Sequence, residues 1–197
     1  IIESNIEKVN IKTAQMSINR LTSKTIKQIP VVLGEADIIK SIILLPGVTS
    51  AGEGASGFNV RGGAVDQNLI LLDEAIVFNS SHVFGFFSVF NPDVIKDVKL
   101  FKGGIPSKYG GRLSSVLDIY QKEGNNKEFK LTGGIGLISS RILAEGPLKK
   151  EKSSFLIGGR SSYAHLFLPL IDNNNKAYFY DLNTKVNYRL NKNNNIF

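Results

Sequence analysis

The sequence predicts an α+β unit followed by antiparallel strands, and three observations carry that expectation. Ile38, Ile39, Ile42, Ile43 and Leu45 recur at helical spacing. Leu69-Ile70-Leu71-Leu72 is a continuous apolar run of strand length. Tyr178, Tyr180, Leu182, Thr184, Val186, Tyr188 and Leu190 alternate with Asp181, Asn183, Lys185, Asn187 and Arg189, which is the period-two pattern of a strand with one apolar face.

The elements follow in order. Residues 1–20 alternate weakly, with Val9, Ile11 and Thr13 against Asn10 and Lys12, and suit a linker or edge strand. Pro30 bars a helix from continuing beyond Ile29. The amphipathic helix is expected over residues 35–45, stopped by Pro46, which lacks an amide donor, and Gly47, which permits a left-handed turn. Six of the seventeen residues 47–63 are glycine, so that backbone is chosen for unusual dihedrals or close approach. The apolar run at 69–72 reads as a strand buried on both faces and ended by Asp73-Glu74. Asn91-Pro92 reads as a cap with proline at the first helical position, predicting a short helix and then a strand at 98–101.

Leu113, Val116, Leu117 and Ile119 predict a further strand, and Gly124-Asn125-Asn126 a turn that marks a domain boundary. The expected divisions are therefore 1–20, 21–124 and 125–197. Beyond the boundary Phe129, Leu131, Gly133, Ile135 and Leu137 alternate with Lys130, Thr132, Gly134 and Gly136, again at period two. Two readings of the last strand stand. Apolar outward with tyrosines at both ends, and polar inward, it suits a membrane-spanning barrel strand; it also suits an antiparallel sheet over a soluble core.

Composition narrows the function classes. The 197 residues are 42% hydrophobic and 21% charged, enough for an ordinary core. Net charge is +7, but the basic residues are scattered singly and give no nucleic-acid tail; Lys149, Lys150 and Lys152 read as a solvated hairpin turn. Cysteine is absent, which excludes disulfides, thiolate nucleophiles and cysteine zinc sites. His82 and His165 stand far apart in no metal-binding spacing, and no metal or other cofactor is expected. No apolar run reaches eighteen residues, so no transmembrane helix is expected. Residues 1–10 lack the basic start and apolar middle of a secretory signal, which fits one already removed or a sequence that begins downstream of it.

Candidate chemistry does not assemble. Gly52-Glu53-Gly54-Ala55-Ser56-Gly57 matches the G-x-G-x-x-G fingerprint, with Asp73 placed like a ribose-binding acid. That fingerprint needs a strand before it and a helix opening within it, whereas a helix ending at Pro46 is expected before it and Phe58-Asn59-Val60-Arg61 reads as a strand after it. Ser80 or Ser81, His82 and Asp73 make a triad on paper only, outside any G-x-S-x-G turn. Asp73 and Glu74 are adjacent and point to opposite faces if extended. No catalytic residue is assigned, and the chain reads as a non-enzyme. Phe78, Phe84, Phe86, Phe87 and Phe90 cluster in a loop rich in small polar residues, fit for packing or for ligand contact.

One resemblance spans several motifs in a fixed order. Phe58-Asn59-Val60-Arg61-Gly62-Gly63 is followed by the stretch from Asp66 to Glu74, by His82-Val83-Phe84-Gly85-Phe86-Phe87 and Asn91-Pro92, by Ile95-Lys96-Asp97-Val98, and by Tyr109-Gly110-Gly111-Arg112-Leu113-Ser114-Ser115-Val116. Together they resemble the plug domain of TonB-dependent outer-membrane receptors over about residues 21–120, in wording closest to the Bacteroidetes form. The resemblance implies an α+β plug domain followed by antiparallel β-strands of an incomplete transmembrane β-barrel. In that family the plug sits inside a barrel of about 22 strands, and residues 128–197 hold only three or four at roughly 9–11 residues each. The chain is therefore expected to be a fragment of a longer receptor.

The implied function is the gate of an energy-coupled outer-membrane importer, with its amino terminus toward the periplasm and its plug inside the barrel lumen. Implied partners are the TonB carboxy-terminal domain, the rest of the barrel, outer-membrane lipid, and a substrate that the family leaves open among small molecules, metal chelates, glycans and peptides. No TonB box is recognisable in residues 1–19. Arg61, Gly62 and Gly63 are carried over to one plug turn, and Gly110, Gly111 and Arg112 to the turn before the last plug strand, with both arginines expected against barrel carboxylates. Asn79, Ser80, Ser81, His82, Phe84, Phe86 and Phe87 are carried over as a substrate-facing loop. The rival expectation is a soluble β-rich binding or interaction domain with no transport role.

Overall fold

A computed structural model of the chain describes residues 17–29, 35–52, 57–82, 85, 87–166, 178–191 and 194–197. The expectations for residues 1–16, Pro30, Phe84 and Phe86, and those for the glycine loop at 53–56, lie outside the described residues.

The amino-terminal unit is built on a five-stranded sheet. Strands β1 (Ile18–Thr22), β4 (Asn68–Leu72), β5 (Ala75–Ile76), β8 (Ile95–Phe101) and β9 (Ser115–Gln121) lie in the order β1-β8-β9-β4-β5. Only β4 and β9 run parallel. Between these strands come helices α1 (Ser23–Gln28) and α2 (Ile38–Ile43), the pair β2 (Val48–Ser50) and β3 (Phe58–Val60), and the pair β6 (Ser81–His82) and β7 (Phe87–Ser88). Ile38 and Ile42 of α2 pack with Phe58, Phe90, Val98, Leu117 and Ile119 on one face of the sheet. On the other face Leu69, Leu71, Phe101 and Val116 are covered by Ile105 and Tyr109. The expectation of a strand buried on both faces at 69–72 is met in this way, with Ile70 and Leu72 packed against the first cluster.

Helix α2 is shorter than residues 35–45. Asp37 is extended and caps it, its carboxylate accepting the Lys40 amide at 3.0 Å, so Glu35 and Ala36 lie outside the helix. Gly47, at φ +75°, makes the turn after it. The helix expected after Asn91-Pro92 is not formed. The Asn91 side chain accepts the Asp93 amide at 3.0 Å and closes a single turn, after which the Lys122 amide binds the Val94 carbonyl at 2.8 Å. That bond draws the β-branched pair Val94-Ile95 into the sheet, and β8 starts at Ile95 instead of Val98.

Asp73 (φ +47°) and Glu74 (φ +71°) form the two-residue turn of the β4–β5 hairpin. The glycine fingerprint lies between β2 and β3, which pair as a hairpin. A strand does precede the fingerprint, contrary to the sequence reading, but a strand and not a helix follows it, so no helix amino terminus is available for a pyrophosphate.

The carboxy-terminal part is a second sheet of consecutive antiparallel strands: β10 (Lys130–Ile135), β11 (Ser139–Lys149), β12 (Ser153–Ser162), β13 (Tyr180–Arg189) and the short β14 (Asn195–Ile196). Lys150, Glu151 and Lys152 form the tight β11–β12 turn, as expected, while Lys149 is the last residue of β11. The alternation in β13 sorts cleanly. Tyr180 (75% exposed), Leu182 (74%) and Val186 (49%) line one face, while Asp181, Asn183, Lys185 and Asn187 turn toward the first unit. Ile142 and Ile157 continue the exposed apolar face on β11 and β12, and Leu143 and Leu156 on the opposite face join the core of the amino-terminal unit. Among the described residues no helix is long and apolar enough to cross a membrane, which leaves crossing by strands open.

Candidate functional site

The chemistry of the chain concentrates where the two sheets meet. Register places Gly134, Arg141, Arg160 and Asp181 side by side across β10 to β13, on the face turned toward the first unit. Arg160 is the centre. Its side chain is 1% exposed, and its Nη1 donates to Glu35 Oε1 at 2.6 Å, Nε to Asp181 Oδ2 at 2.7 Å and Nη2 to the Ser88 carbonyl at 2.6 Å. Ser139 Oγ donates to the second oxygen of Glu35. A guanidinium cannot shed its charge, so its burial is tolerated only because two carboxylates and a carbonyl surround it.

Asp181 also meets His82 Nε2 at 2.5 Å, and the His82 ring stacks on Phe179 with centroids 4.6 Å apart. The Arg160 guanidinium lies 5.0 Å from the centre of that same phenyl ring.

Beside this cluster, Arg141 Nε lies 2.6 Å from Asp93 Oδ2, and Lys27 of α1 pairs with the other Asp93 oxygen. Burial pushes the Asp93 carboxyl up, but Lys27 and Arg141 outweigh it and hold the group below its ordinary value of 3.8. A depressed carboxyl contributes stability that is present above the unfolded value and lost as pH falls through the folded one. Acid titration is therefore expected to destabilise the chain below about pH 4, and Asp93→Asn to flatten that part of the stability profile; an unchanged profile would contradict the assignment.

A further ion pair joins Lys185 Nζ to Asp73 Oδ2 at 2.8 Å, and the other Asp73 oxygen accepts the Gln121 amide at 2.9 Å. Packing matches the charges. A Cβ at Gly158 of β12 would fall inside van der Waals distance of Val94 Cγ1, so the 91–94 turn seats in a notch that only glycine leaves open.

The residues singled out by the sequence are distributed differently. Arg61 adopts φ +50° and Gly62 +82° in a turn, and a Cβ at Gly63 would collide with Ser114. Arg61 Nη2 donates to Ser17 Oγ at 3.0 Å, while Lys102 Nζ donates to the Pro46 carbonyl at 2.8 Å. Burial, then the nearby Arg61 charge, lowers the Lys102 pKa. Both cations border an open cleft of about 500 Å3. Gly110 and Gly111 lie in an exposed turn, and Arg112 donates to the Gly111 carbonyl at 3.1 Å. Among the described residues neither Arg61 nor Arg112 meets a carboxylate.

In the 79–87 loop, Asn79 is exposed, Ser80 and Phe87 are buried, Ser81 is half-buried, and His82 is held by Asp181. The paper triad is not assembled, since the carboxylate beside His82 is Asp181 and Asp73 faces Lys185. Sequence reasoning missed Glu35, Asp93, Arg141, Arg160 and Asp181. For Arg141, Arg160 and Asp181 the inward-facing positions of the alternating strands were the available signal, since a charge facing inward on a strand requires a partner; Glu35 and Asp93 lie outside the strands and carry no such signal.

The TonB-dependent receptor plug domain model matches residues 10–115, more than half of the chain. The chain belongs to this family. Its fold is also found in solved receptors of low sequence identity. The siderophore receptor PirA from Acinetobacter baumannii superposes with a TM-score of 0.65 at 19% identity, over 98% of this chain and 31% of that one. PirA from Pseudomonas aeruginosa gives 0.62 at 18% identity, over 91% and 32%. The ferric enterobactin receptor PfeA of Pseudomonas aeruginosa, solved as its R480A mutant with enterobactin, gives 0.60 at 17%, over 92% and 32%. The chain thus spans about a third of the length of these receptors. No curated protein sequence matches it. The amino-terminal unit is the plug, and β10 to β14 are strands of an unclosed barrel wall, whose arginines meet carboxylates of the plug.

Proposed function

We propose that the chain is the gate and the first wall strands of an outer-membrane importer, in which the plug fills the lumen and is displaced by force from TonB. One observation carries this reading: the plug docks by buried ion pairs on the polar face of a sheet whose opposite face is apolar and uncovered. A barrel wall between lumen and lipid has that division. Connection lengths support an orientation. The tight turn 150–152 lies at the end where the plug hands over to β10, and the long connection 163–179 lies at the other. Short periplasmic and longer outer loops are the rule in such barrels.

In this reading the plug turn at Arg61, Gly62 and Gly63, with Lys102, meets carboxylates of the remaining wall, as does Arg112 beside Gly110 and Gly111. Asn79, Ser81, His82, Phe84 and Phe86 form the plug's contribution to a cargo site, with the buried Ser80 and Phe87 supporting the loop; His82 meets Asp181 just after the long connection, which favours an outward position. The cargo belongs among small molecules, metal chelates, glycans or peptides. The remaining partners are TonB, engaged through a segment not recognisable in this sequence, and outer-membrane lipid, and no catalysis is assigned.

A spin label at Val186→Cys in the whole receptor, reconstituted in bilayers, is expected to be relaxed by lipid-phase oxygen more than by an aqueous nickel chelate. The reverse ranking would favour the soluble interaction domain, in which another layer covers this face.

A further inference from the structure

We propose that Arg141 and Arg160 form a wall site for an anionic group, occupied by the plug's own Glu35 and Asp93 while the gate is closed and taken over by an anionic cargo when the plug withdraws. The inference rests on the gated-import reading above. The two arginines are directly paired across β11 and β12, on the same inward face. Like charges opposite one another on neighbouring strands destabilise a sheet unless something neutralises them.

The closed gate shows which chemistry does so. Glu35 accepts from Arg160 at 2.6 Å, and Asp93 lies 2.6 Å from Arg141, so each guanidinium faces a carboxylate from the plug. Among the described wall residues, Asp181 alone contacts Arg160 as an acid, so these set two permanent cations against one carboxylate once the plug has moved. The Arg160 side chain is 1% exposed in the closed gate, and its charge needs a partner wherever water is scarce.

Glycine adjoins the pair at Gly134 and Gly158, while Leu143 and Ser139 flank Arg141 on the same face of β11. A Cβ at Gly134 would lie 3.2 Å from Arg141 Cζ, and Gly158, two residues before Arg160 on the same face, presents no side chain. Vacated by the plug, this strip offers forked N–H donors beside open backbone, which suits a carboxylate or phosphate oxygen pair. The wall would then prefer cargo that carries an anionic group and would hold it at a point on its way past the plug.

Chemical rescue tests the site on the chain itself, in detergent micelles. Glu35→Ala with Asp93→Ala empties both internal ligands, and each single variant empties one should the double variant fail to fold. Sodium acetate at about 100 mM, compared with sodium chloride of equal ionic strength, is expected to restore about half or more of the lost Tm in these variants and to leave the wild-type Tm unchanged. Adding Arg141→Gln and Arg160→Gln should abolish the rescue. Trifluoroacetate provides a second readout, its fluorine resonance broadening with the variants that lack Glu35 and Asp93 and not with those that also lack the arginines. Equal effects of acetate on all variants, or a fluorine line that none of them broadens, would overturn the wall site. TonB-dependent uptake by the whole receptor decides gated import separately, so the two can fail independently.

Discussion

Arg160→Met is expected to destabilise the chain by about 3–5 kcal/mol, because it strands the buried carboxylates of Glu35 and Asp181 without their shared cation. Denaturant or thermal unfolding in micelles reads the loss. Adding Glu35→Gln should return part of it, since a neutral amide no longer carries an uncompensated charge, and the two changes should be strongly non-additive. The loss should also be local to the docking surface: hydrogen exchange is expected to rise in residues 35–37 and 88 before the central strands β8 and β9, whose protection rests on the isoleucine and leucine core. Additive effects, or a cost below about 1 kcal/mol, would mean that the cluster is solvated and does not hold the plug to the wall.

Gly158→Ala tests docking by shape instead of charge. Its new methyl enters the space of Val94 Cγ1, so either the 91–94 turn lifts from β12 or the wall bends, at about 1–3 kcal/mol. Val94→Ala removes the opposing methyl and on its own should cost on the order of 1–2 kcal/mol as lost packing. Combined, the two should cost less than their sum, because the second makes room for the first. Strict additivity would place the two residues out of contact. The displaced turn also carries Asp93, so Gly158→Ala should weaken the Lys27 and Arg141 pairs and shift acid unfolding in the same direction as Asp93→Asn.

Different physical signals made some features legible and hid others. The α2 isoleucines, the 69–72 run and the alternation after Tyr178 are periodic patterns, and periodicity survives in a linear text because burial repeats with the backbone. The helix was nonetheless overextended at its start, since Asp37 fits a helix interior by pattern and acts as a cap by hydrogen bonding. Asn91-Pro92 carried the signature of a helix start, but the sheet bond from Lys122 took the backbone of Val94 instead, a choice made by a residue 28 positions away. The site was less legible than the fold. Arg61 and Arg112 stood out because they fall in the ordered motifs that resemble the plug, whereas Arg160, although it also follows two glycines, belongs to none of those motifs.

By itself the sequence determined the elements that repeat with the backbone and, through its ordered motifs, the family to which the plug belongs. Only the tertiary structure decided that the wall supplies the arginines and the plug the acids. Glu35 and Arg160 are 125 residues apart, and Asp93 lies in the turn before β8 whereas Arg141 lies on β11 of the other sheet. An ion pair depends on separation in space and on the water excluded around it, and neither quantity is written in the order of residues along a chain.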